Sequence, residues 1–484
     1  MIAKEDNHTG RVLDPVPLVV DLDGTFLRTD LLFEAVVILF KKNPLYLVLC
    51  FFWALQGKCI LKQNIFSRVE IHYGLLPVHH ELIAFLHQEL ERGRKLVLAT
   101  ASPQEAAERV AEIYPLFSEI FGSRDGINLK GSAKAELLVG QYGQGQFDYI
   151  GNDRSDLAIF RQARNAYLVN APAWVEKKAK QGGNLLRSWQ PTAGRLATLI
   201  RASRVYQWLK NVLLFVPLVV SHSFFELQPF LQVSAAFVAY SLIASAGYLI
   251  NDILDLADDR SHPRKKTRPL ASGEMPLLAG ITSAAALLAA GALIAVFLDV
   301  TFCIIVLLYF FASLAYSCWL KKLVLYDVFL LAAFYTVRVI AGAVVINIPV
   351  SFWLVAFSVF FFLSLAFLKR FAEVSQVQDT ISLSHRRRDY AFADLPLIQI
   401  MGVASGFLSV VVFALYIDSP EVTLLYARPW ILWILSFMLM FWISRIWLVA
   451  SRGTMTDDPI LFTLKDRTSY LILLLTLLVM LAAH

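Results

Sequence analysis

Residues 251–273 read Asn-Asp-Ile-Leu-Asp-Leu-Ala-Asp-Asp-Arg-Ser-His-Pro-Arg-Lys-Lys-Thr-Arg-Pro-Leu-Ala-Ser-Gly and follow directly on the apolar run Phe230–Ile250. Asp252, Asp255 and Asp259 stand at i, i+3 and i+7, so a helix puts all three on one face. Three like charges at the edge of hydrocarbon repel one another and are expensive if left bare. Mg²⁺ shared with a diphosphate removes that cost, because the ion takes hard oxygens and binds through few carboxylates plus substrate phosphates. A solvated acidic helix end is the plain alternative. It does not account for the basic loop that follows at once, with Arg260, His262, Lys265, Lys266 and Arg268. Carboxylates on one face beside a cationic loop are what a metal–diphosphate site requires.

The surroundings of this stretch are those of a membrane. Of the 484 residues, 57% are apolar and 17% charged, and mean hydropathy is +0.58. A wholly soluble globule of this make-up lacks the polar surface to cover itself. About nine apolar runs follow residue 203: Trp208–Phe225, Phe230–Ile250, Pro276–Leu298, Thr301–Leu320, Val324–Ile348, Ser351–Leu368, Leu397–Ile417, Trp430–Ala450 and Thr468–Ala483. Most approach the ~20 residues of a membrane helix. The loops after the second, fourth, sixth and eighth runs hold nearly all the cations, among them Lys265, Lys321, Lys322, Lys369, Arg370, Arg386, Arg387, Arg388 and Arg452. The positive-inside rule puts those loops on the cytoplasmic side of a bacterial-type inner membrane, together with the segment before the first span. The net charge of +6 therefore reflects orientation, and no alternation of basic and aromatic residues suggests nucleic acid. Four scattered cysteines exclude a disulfide scaffold.

Residues 1–178 have different statistics. Short apolar runs at Leu18–Leu22, Leu96–Thr100 and Tyr149–Gly151 alternate with helical stretches at Val78–Glu91, Pro103–Ile113 and Ala133–Val139. This predicts a doubly wound parallel α/β domain with ligands at the carboxyl ends of its strands. A helical cap is expected over about residues 30–75. Within it, Leu45–Leu55 is continuously apolar but too short to span. Two readings stand: a helix buried in the cap, or one docked on the membrane with Lys41, Lys42 and Lys58 at headgroup level. Residues 179–203, with Gly182, Gly183, Pro191 and Gly194, read as a linker to a membrane bundle over 204–484.

The sharpest local signal of this first half is Asp21-Leu22-Asp23-Gly24-Thr25 after the strand Leu18–Val20. Two carboxylates at a strand end suit a nucleophile, an acid/base group and Mg²⁺ against phosphate charge. Thr100, Lys134 and Gly151-Asn152-Asp153-Arg154-Ser155-Asp156 follow in order. The set resembles the haloacid-dehalogenase-like phosphatases over about residues 15–175. The resemblance implies Asp21 as nucleophile, Asp23 as acid/base, Thr100 and Lys134 on phosphate, and Asp21, Asp23, Asn152 and Asp156 around Mg²⁺. The family usually has an acid where Asn152 stands, and the amide adds no charge. A fold kept for binding phosphate or for regulation, without turnover, is the alternative.

The acid stretch of the second half, followed by HPxKxxRP, resembles the UbiA superfamily of intramembrane transferases over about residues 200–484. That family holds Mg²⁺ and donor diphosphate on this motif, which gives Asn251, Asp252, Asp255 and Asp259 that role and Lys266 and Arg268 the phosphate oxygens. Aromatic prenyltransferases of the superfamily carry a second acid pair. Here Asp327 is present but Leu331 takes the place of its partner. Lys210, Asn211, Tyr316, Lys321, Lys322, Arg338, Lys369 and Arg370 complete a pattern like the branch of decaprenyl-phosphate phosphoribosyltransferase and its relatives. The implied reaction moves 5-phosphoribose from phosphoribosyl diphosphate to a polyprenyl phosphate, after which the first half removes the 5-phosphate. The alternative is transfer of a polyprenyl group to an aromatic acceptor. A transporter is disfavoured because the acids lie at a span end, not at the midplane. The oligomeric state is left open.

Overall fold

The computed structural model describes residues 16–124, 126–190, 194–376, 390–419, 422, 426–455, 459–463 and 465–483. The expected cations Arg386, Arg387 and Arg388 lie outside them. The chain divides into two compact units, Met1–Ser203 with Tyr248–Ala284, and Arg204–Gly247 with Ala285–His484.

In the first unit the α/β expectation holds. Strands β1 (Leu18–Val20), β2 (Leu96–Pro103), β3 (Glu119–Ser123), β4 (Asp148–Gly151), β5 (Ala166–Val169) and β6 (Leu185–Trp189) form one sheet in the order β3-β2-β1-β4-β5-β6. Every pairing is parallel, with Val20 opposite Leu98 on one side and Ile150 on the other. β1, β4 and β5 are buried on both faces, which is why they read as short continuous apolar runs. The order reverses at β1, so a crevice opens between the carboxyl ends of β1 and β4. At the opposite, amino-terminal end, Asp148 is buried and accepts from Arg94 and from Arg164 (2.9 Å).

Between β1 and β2, where a helical cap was expected, lie α1 (Leu31–Lys42), α2 (Tyr46–Gln56), α3 (Lys58–Phe66) and α4 (His80–Glu91). Asp30 caps α1, accepting from the Leu32 and Phe33 amides. The reading of Leu45–Leu55 as a buried helix is overturned, because no residue of α2 is buried. The linker expectation also changes. Within 179–203, β6 is the sixth strand of the sheet and α8 (Arg195–Ala202) is helical, after α7 (Ala173–Gln181). The Gly-rich look of 182–184 is a tight turn, in which Gly183 takes φ +77°. Two further helices of this domain are α5 (Gln104–Ile113) and α6 (Ser132–Tyr142).

All nine apolar runs are helical, and among the described residues seven helices are long and apolar enough to cross a membrane: α9 (Leu227–Leu254), α11 (Leu277–Leu298), α12 (Val300–Cys318), α13 (Tyr326–Val345), α14 (Phe352–Gln376), α15 (Leu395–Ile417) and α16 (Trp433–Ser451). The other two of the nine expected spans are shorter apolar helices. The first run is a 3-10 helix, Val205–Phe215, followed by one turn of α-helix with Pro217 near its start. The last is the 17-residue α17 (Arg467–Ala483). A short helix, α10 (Leu256–Ser261), follows α9. In the second unit, indole N–H groups find hydroxyls between helices: Trp447 on Ser364 (3.1 Å), Trp442 on Ser469 (3.0 Å) and Trp208 on Ser245 (2.9 Å). In hydrocarbon such pairs replace the water an indole would otherwise lose.

Gly342 on α13 marks the closest approach of this unit. A Cβ there would fall on the carbonyl oxygen of Leu214, a backbone atom that cannot swing away. Gly342→Ala is therefore expected to lower the melting temperature of the purified protein in detergent, at a cost of about 1–3 kcal/mol. Ala341→Gly, one residue away, serves as the comparison in the same thermal-unfolding measurement.

Candidate functional site

In the first unit the residues expected to act on phosphate come together at the crevice. Asp21 leaves β1 buried, its amide donating to the Ile150 carbonyl (3.0 Å). Its Oδ1 takes the Lys134 ammonium (2.7 Å) and its Oδ2 the Thr25 hydroxyl (3.3 Å). Gly24, at φ +73°, lets the chain turn back, and a Cβ there would strike the Asn152 amide. Asp23 Oδ1 accepts from the Leu31 amide (2.9 Å), and its Oδ2 from Thr100 (3.2 Å) and Ser102 (2.7 Å). Asp156 accepts from the Tyr149 hydroxyl (3.0 Å) and from the amides of Asn152 and Asp153 (both 2.9 Å). It thereby holds the β4 loop that presents Asn152. Lys134 also donates to Tyr149 (3.0 Å), so Asp21, Lys134, Tyr149 and Asp156 form one continuous chain.

Burial is the main force on these acids. It pushes the Asp21 carboxyl up to about 7, with Lys134 pulling back and Asp156 and Asp23 adding to the rise. Burial, and then the nearby Asp30, push Asp23 up to about 6. A site that resists gathering negative charge is one a cation would relieve. Among the described residues no three His, Cys, Asp or Glu side chains form a ready-made metal cage. The oxygens of Asp21, Asp23 and Asn152 suit Mg²⁺ arriving with phosphate, while Asp156 is engaged in holding the loop. Three participants had no motif to announce them. Ser102 and Tyr149 lie beside recognised strand ends. Lys62 on α3 donates to the Ala101 carbonyl and to Asn128 Oδ1 (3.2 Å).

The acid stretch after α9 lies in the same unit, where Asp252 and Asp259 are buried and meet on one guanidinium. Arg268 Nη1 donates to Asp252 Oδ1 (3.1 Å) and to Asp259 Oδ2 (2.5 Å). The helix is interrupted at Asp255, yet the Asp255 amide still reaches Asn251 O and the Asp259 amide Asp255 O, both at 2.8 Å. The expected common face of the first and last acids therefore survives. Asp255 and Asn251 are half-buried, and Lys266 is exposed in a 3-10 turn. Asp259 Oδ1 is buried with no hydrogen-bond partner. A naked carboxylate oxygen of this kind is costly, and a hard cation is a fitting partner. Arg268, expected on phosphate, here pairs with both buried acids of this face.

The loop is fixed from the other side by a residue no motif announced. Arg260 makes a bidentate pair with Glu34 of α1 (3.0 and 2.6 Å), with both side chains buried, and Thr29 also donates to Glu34 (2.5 Å). Gly273 accommodates the contact, since a Cβ there would lie 2.5 Å from Arg28 Cβ.

In the second unit, Arg338 is buried, donates to Asn211 Oδ1 (2.8 Å) and to the Tyr309 hydroxyl (2.9 Å), and lies over the rings of Tyr240, Tyr309 and Tyr335. Asn211 in turn donates to Ser241 (2.9 Å), and Lys210 lies 5.9 Å from the Tyr335 ring. Arg370 is fully buried and paired with Asp327 and Glu373, while Tyr390 donates to Asp327 (2.8 Å). Both Asp327 and Arg370 were expected on substrate, but here they neutralise each other. Tyr316, Lys321 and Lys369 are half-buried and Lys322 is exposed. A separate apolar cavity of about 420 Å³ is lined by Phe357, Phe361, Phe413, Leu439, Trp442 and Leu473 among others.

Comparison with known proteins bears on both halves. Residues 212–464 match the UbiA prenyltransferase family. An uncharacterized protein of Sinorhizobium fredii (y4nM) is 32% identical over 480 residues, covering 98% of this chain and 93% of its own. Decaprenyl-phosphate phosphoribosyltransferase of Mycolicibacterium smegmatis is 37% identical over 199 residues, which is 40% of this chain and 63% of that one. Among solved structures, a UbiA homolog from Archaeoglobus fulgidus bound to GPP and Mg²⁺ is 16% identical with a TM-score of 0.45, covering 59% of this chain and 99% of its own. A HAD family hydrolase from Salmonella enterica is 16% identical with a TM-score of 0.26, covering 34% and 66%.

The raised carboxyls make stability depend on pH with a definite sign. Asp21 and Asp23 titrate higher folded than the usual value of 3.8, so the stability they lend is present at low pH and lost as pH rises through about 6 to 7. Without divalent metal the melting temperature should fall between pH 5 and pH 8, and Mg²⁺ should raise it more at pH 8 than at pH 5. Asp21→Asn should flatten both trends. A thermal-unfolding series with EDTA and with Mg²⁺ would measure this, and an equal Mg²⁺ effect at the two pH values would refute it.

Proposed function

The chain belongs to the UbiA prenyltransferase family and is an integral membrane protein, and from that premise we propose that it transfers 5-phosphoribose from phosphoribosyl diphosphate to a polyprenyl phosphate. The observation that carries the reading is the buried acid pair Asp252 and Asp259, bridged by Arg268, with an unpartnered oxygen on Asp259. Mg²⁺ held there by Asp252, Asp255 and Asp259, with Asn251 beside them, would neutralise the leaving diphosphate and favour an oxocarbenium-like ribose. Lys210, Lys321, Lys322, Lys369 and Lys266 supply the positive charge that two anionic substrates call for. Arg338, tied into its tyrosines, and Arg370, tied to Asp327, act as positioning residues. The aromatic cavity offers an apolar surface of the kind an isoprenoid chain fills. Relatives that are decaprenyl-phosphate phosphoribosyltransferases support the choice of donor and acceptor. Prenyl transfer to an aromatic acceptor is the second reading, supported by the family as a whole. Against it stand Leu331 in the place of the second acid and Asp327 already spent on Arg370.

For the α/β domain we propose phosphomonoester hydrolysis, most simply of the 5-phosphate left on the lipid-linked product. Asp21, its carboxylate aimed by Lys134 and Thr25, would attack phosphorus. Asp23, whose raised pKa lets it carry a proton near neutrality, would protonate the departing alkoxide and later activate water. Mg²⁺ beside Asp21, Asp23 and Asn152 would offset phosphate charge. Both sites would face the cytoplasm, on the side given by the charged loops.

The test uses full-length protein in liposomes with Mg²⁺, polyprenyl phosphate and ribose-labelled phosphoribosyl diphosphate. Label is expected in the organic phase, and Asp252→Ala should cut it by roughly 100-fold or more. Asp21→Asn should leave transfer intact and leave the lipid product with one more phosphate. Label that stays in water while a supplied polyprenyl diphosphate alkylates a phenol would replace the reading with the second one.

A further inference from the structure

Helix α2 is the feature that neither site uses, and its surface is unlike that of any other helix in the α/β domain. Tyr46, Cys50 and Trp53, at i, i+4 and i+7, pack against the domain core. The rest of the helix points away from it. Leu45 is 70% exposed, Phe51 63% and Leu55 71%, with Leu47, Val48, Leu49 and Phe52 also exposed. So much apolar surface in one patch marks a contact with something apolar. We infer that α2 is an interfacial anchor: it lies in the headgroup and upper acyl region of the bilayer and holds the mouth of the Asp21–Asp23 site at the membrane surface.

Three observations choose the bilayer as the occupant. The first is charge. From Ala35 to Val69 the chain has Lys41, Lys42, Lys58, Lys62 and Arg68 and no carboxylate, as anionic headgroups would favour. Lys42 and Lys58 are exposed at the two ends of the apolar face. The second is length. Eleven residues make about 16 Å of helix, half of the ~30 Å hydrocarbon layer, so α2 can lie in the surface but cannot cross it. The third is level. Within this unit Glu34 grips Arg260, and Lys41 stands 4.0 Å from Asp258. Asp258 and Arg260 follow directly on membrane helix α9, so the base of the cap sits at the end of a span. α2 begins four residues after Lys42.

The consequence reaches the site through α3. That helix is joined to α2 by Gly57 and carries Lys62, which holds the Ala101 carbonyl between Thr100 and Ser102, the residues that fix Asp23. One face of the α2–α3 hairpin thus meets lipid while the other meets the acid site. A phosphomonoester carried on a membrane lipid would reach Asp21 without leaving the surface. This last step rests on the hydrolase reading above, whereas the anchoring does not.

The experiment labels Phe51→Cys with an environment-sensitive dye, in full-length protein whose four native cysteines are serine, reconstituted in phosphatidylglycerol-containing liposomes. Glu81→Cys on α4 is the water-exposed control. The dye at 51 is expected to be blue-shifted, quenched by brominated acyl chains and protected from aqueous iodide, and the dye at 81 the reverse. Iodide access at 51 would overturn the anchor. So would protection without bromolipid quenching accompanied by cross-linked dimers, which would make α2 a contact between copies. As a second readout, Phe51→Asp with Leu55→Asp should slow hydrolysis of a lipid-borne phosphomonoester about tenfold or more while leaving p-nitrophenyl phosphate unaffected. Equal loss on both substrates would overturn the delivery role. If unsubstituted protein hydrolyses neither, the hydrolase reading falls, and the dye result still decides the anchor.

Discussion

A buried carboxylate must find a positive partner, and this structure is organised around where those partners come from. At the end of α9 two aspartates are removed from water and share Arg268. Their neighbour Arg260 is also buried and is satisfied by Glu34 from the α/β domain. Losing either partner of such a pair strands a charge at a cost of several kcal/mol. The loop after α10 is therefore held by charge at Arg260 and again at Arg268. Asp259 Oδ1 is left buried without a hydrogen-bond partner, which is where a cation is wanted.

The same rule separates substrate-facing cations from structural ones in the membrane unit. By residue type alone, Arg338, Arg370, Lys210 and Lys369 are equal candidates. Arg370 is fully buried against Asp327 and Glu373, and Arg338 is enclosed by three tyrosines and Asn211. A guanidinium already desolvated and paired gains little by binding a phosphate, and moving it would expose its partner. The more exposed lysines can change partner at small cost, and an ammonium on a flexible stem adapts to substrate charge as it moves.

Much of this was legible in the chain because the signals were local. The strand–Asp21–Asp23–Gly24 turn and the Asp252–Asp259 spacing are set by backbone geometry over a few residues, and both are found as expected. β6 was missed because Gly182 and Gly183 look like a linker, while Leu185–Trp189 gains its identity only by pairing with β5. The first apolar run was read as one continuous span because hydropathy does not register the Pro217 break. Glu34, Arg260 and Lys62 left no trace, since their partners are remote in sequence. The roles of Arg268 and Arg370 were likewise hidden, because a motif gives residue types and not which charges are already matched.

Among the described residues, most of the stretch expected to be a linker is strand or helix, which changes what the fusion means. A linker would have joined two catalysts by raising the effective concentration of a shared intermediate. Instead β6 closes the sheet, α8 follows within the same unit, and Glu34 binds the loop beside the acid face directly. Asp23 accepts from the Leu31 amide at the start of α1, and Glu34 on that helix pairs, buried, with Arg260, the residue next to Asp259. Within that unit the α/β domain and the acid face are thus joined by packed charge. For an intermediate confined to two dimensions that is the more useful constraint, because a lipid phosphate can approach only from the plane of the membrane. On the readings proposed above, a hydrolase held at that level with its cap toward the lipid would meet the intermediate in a productive pose.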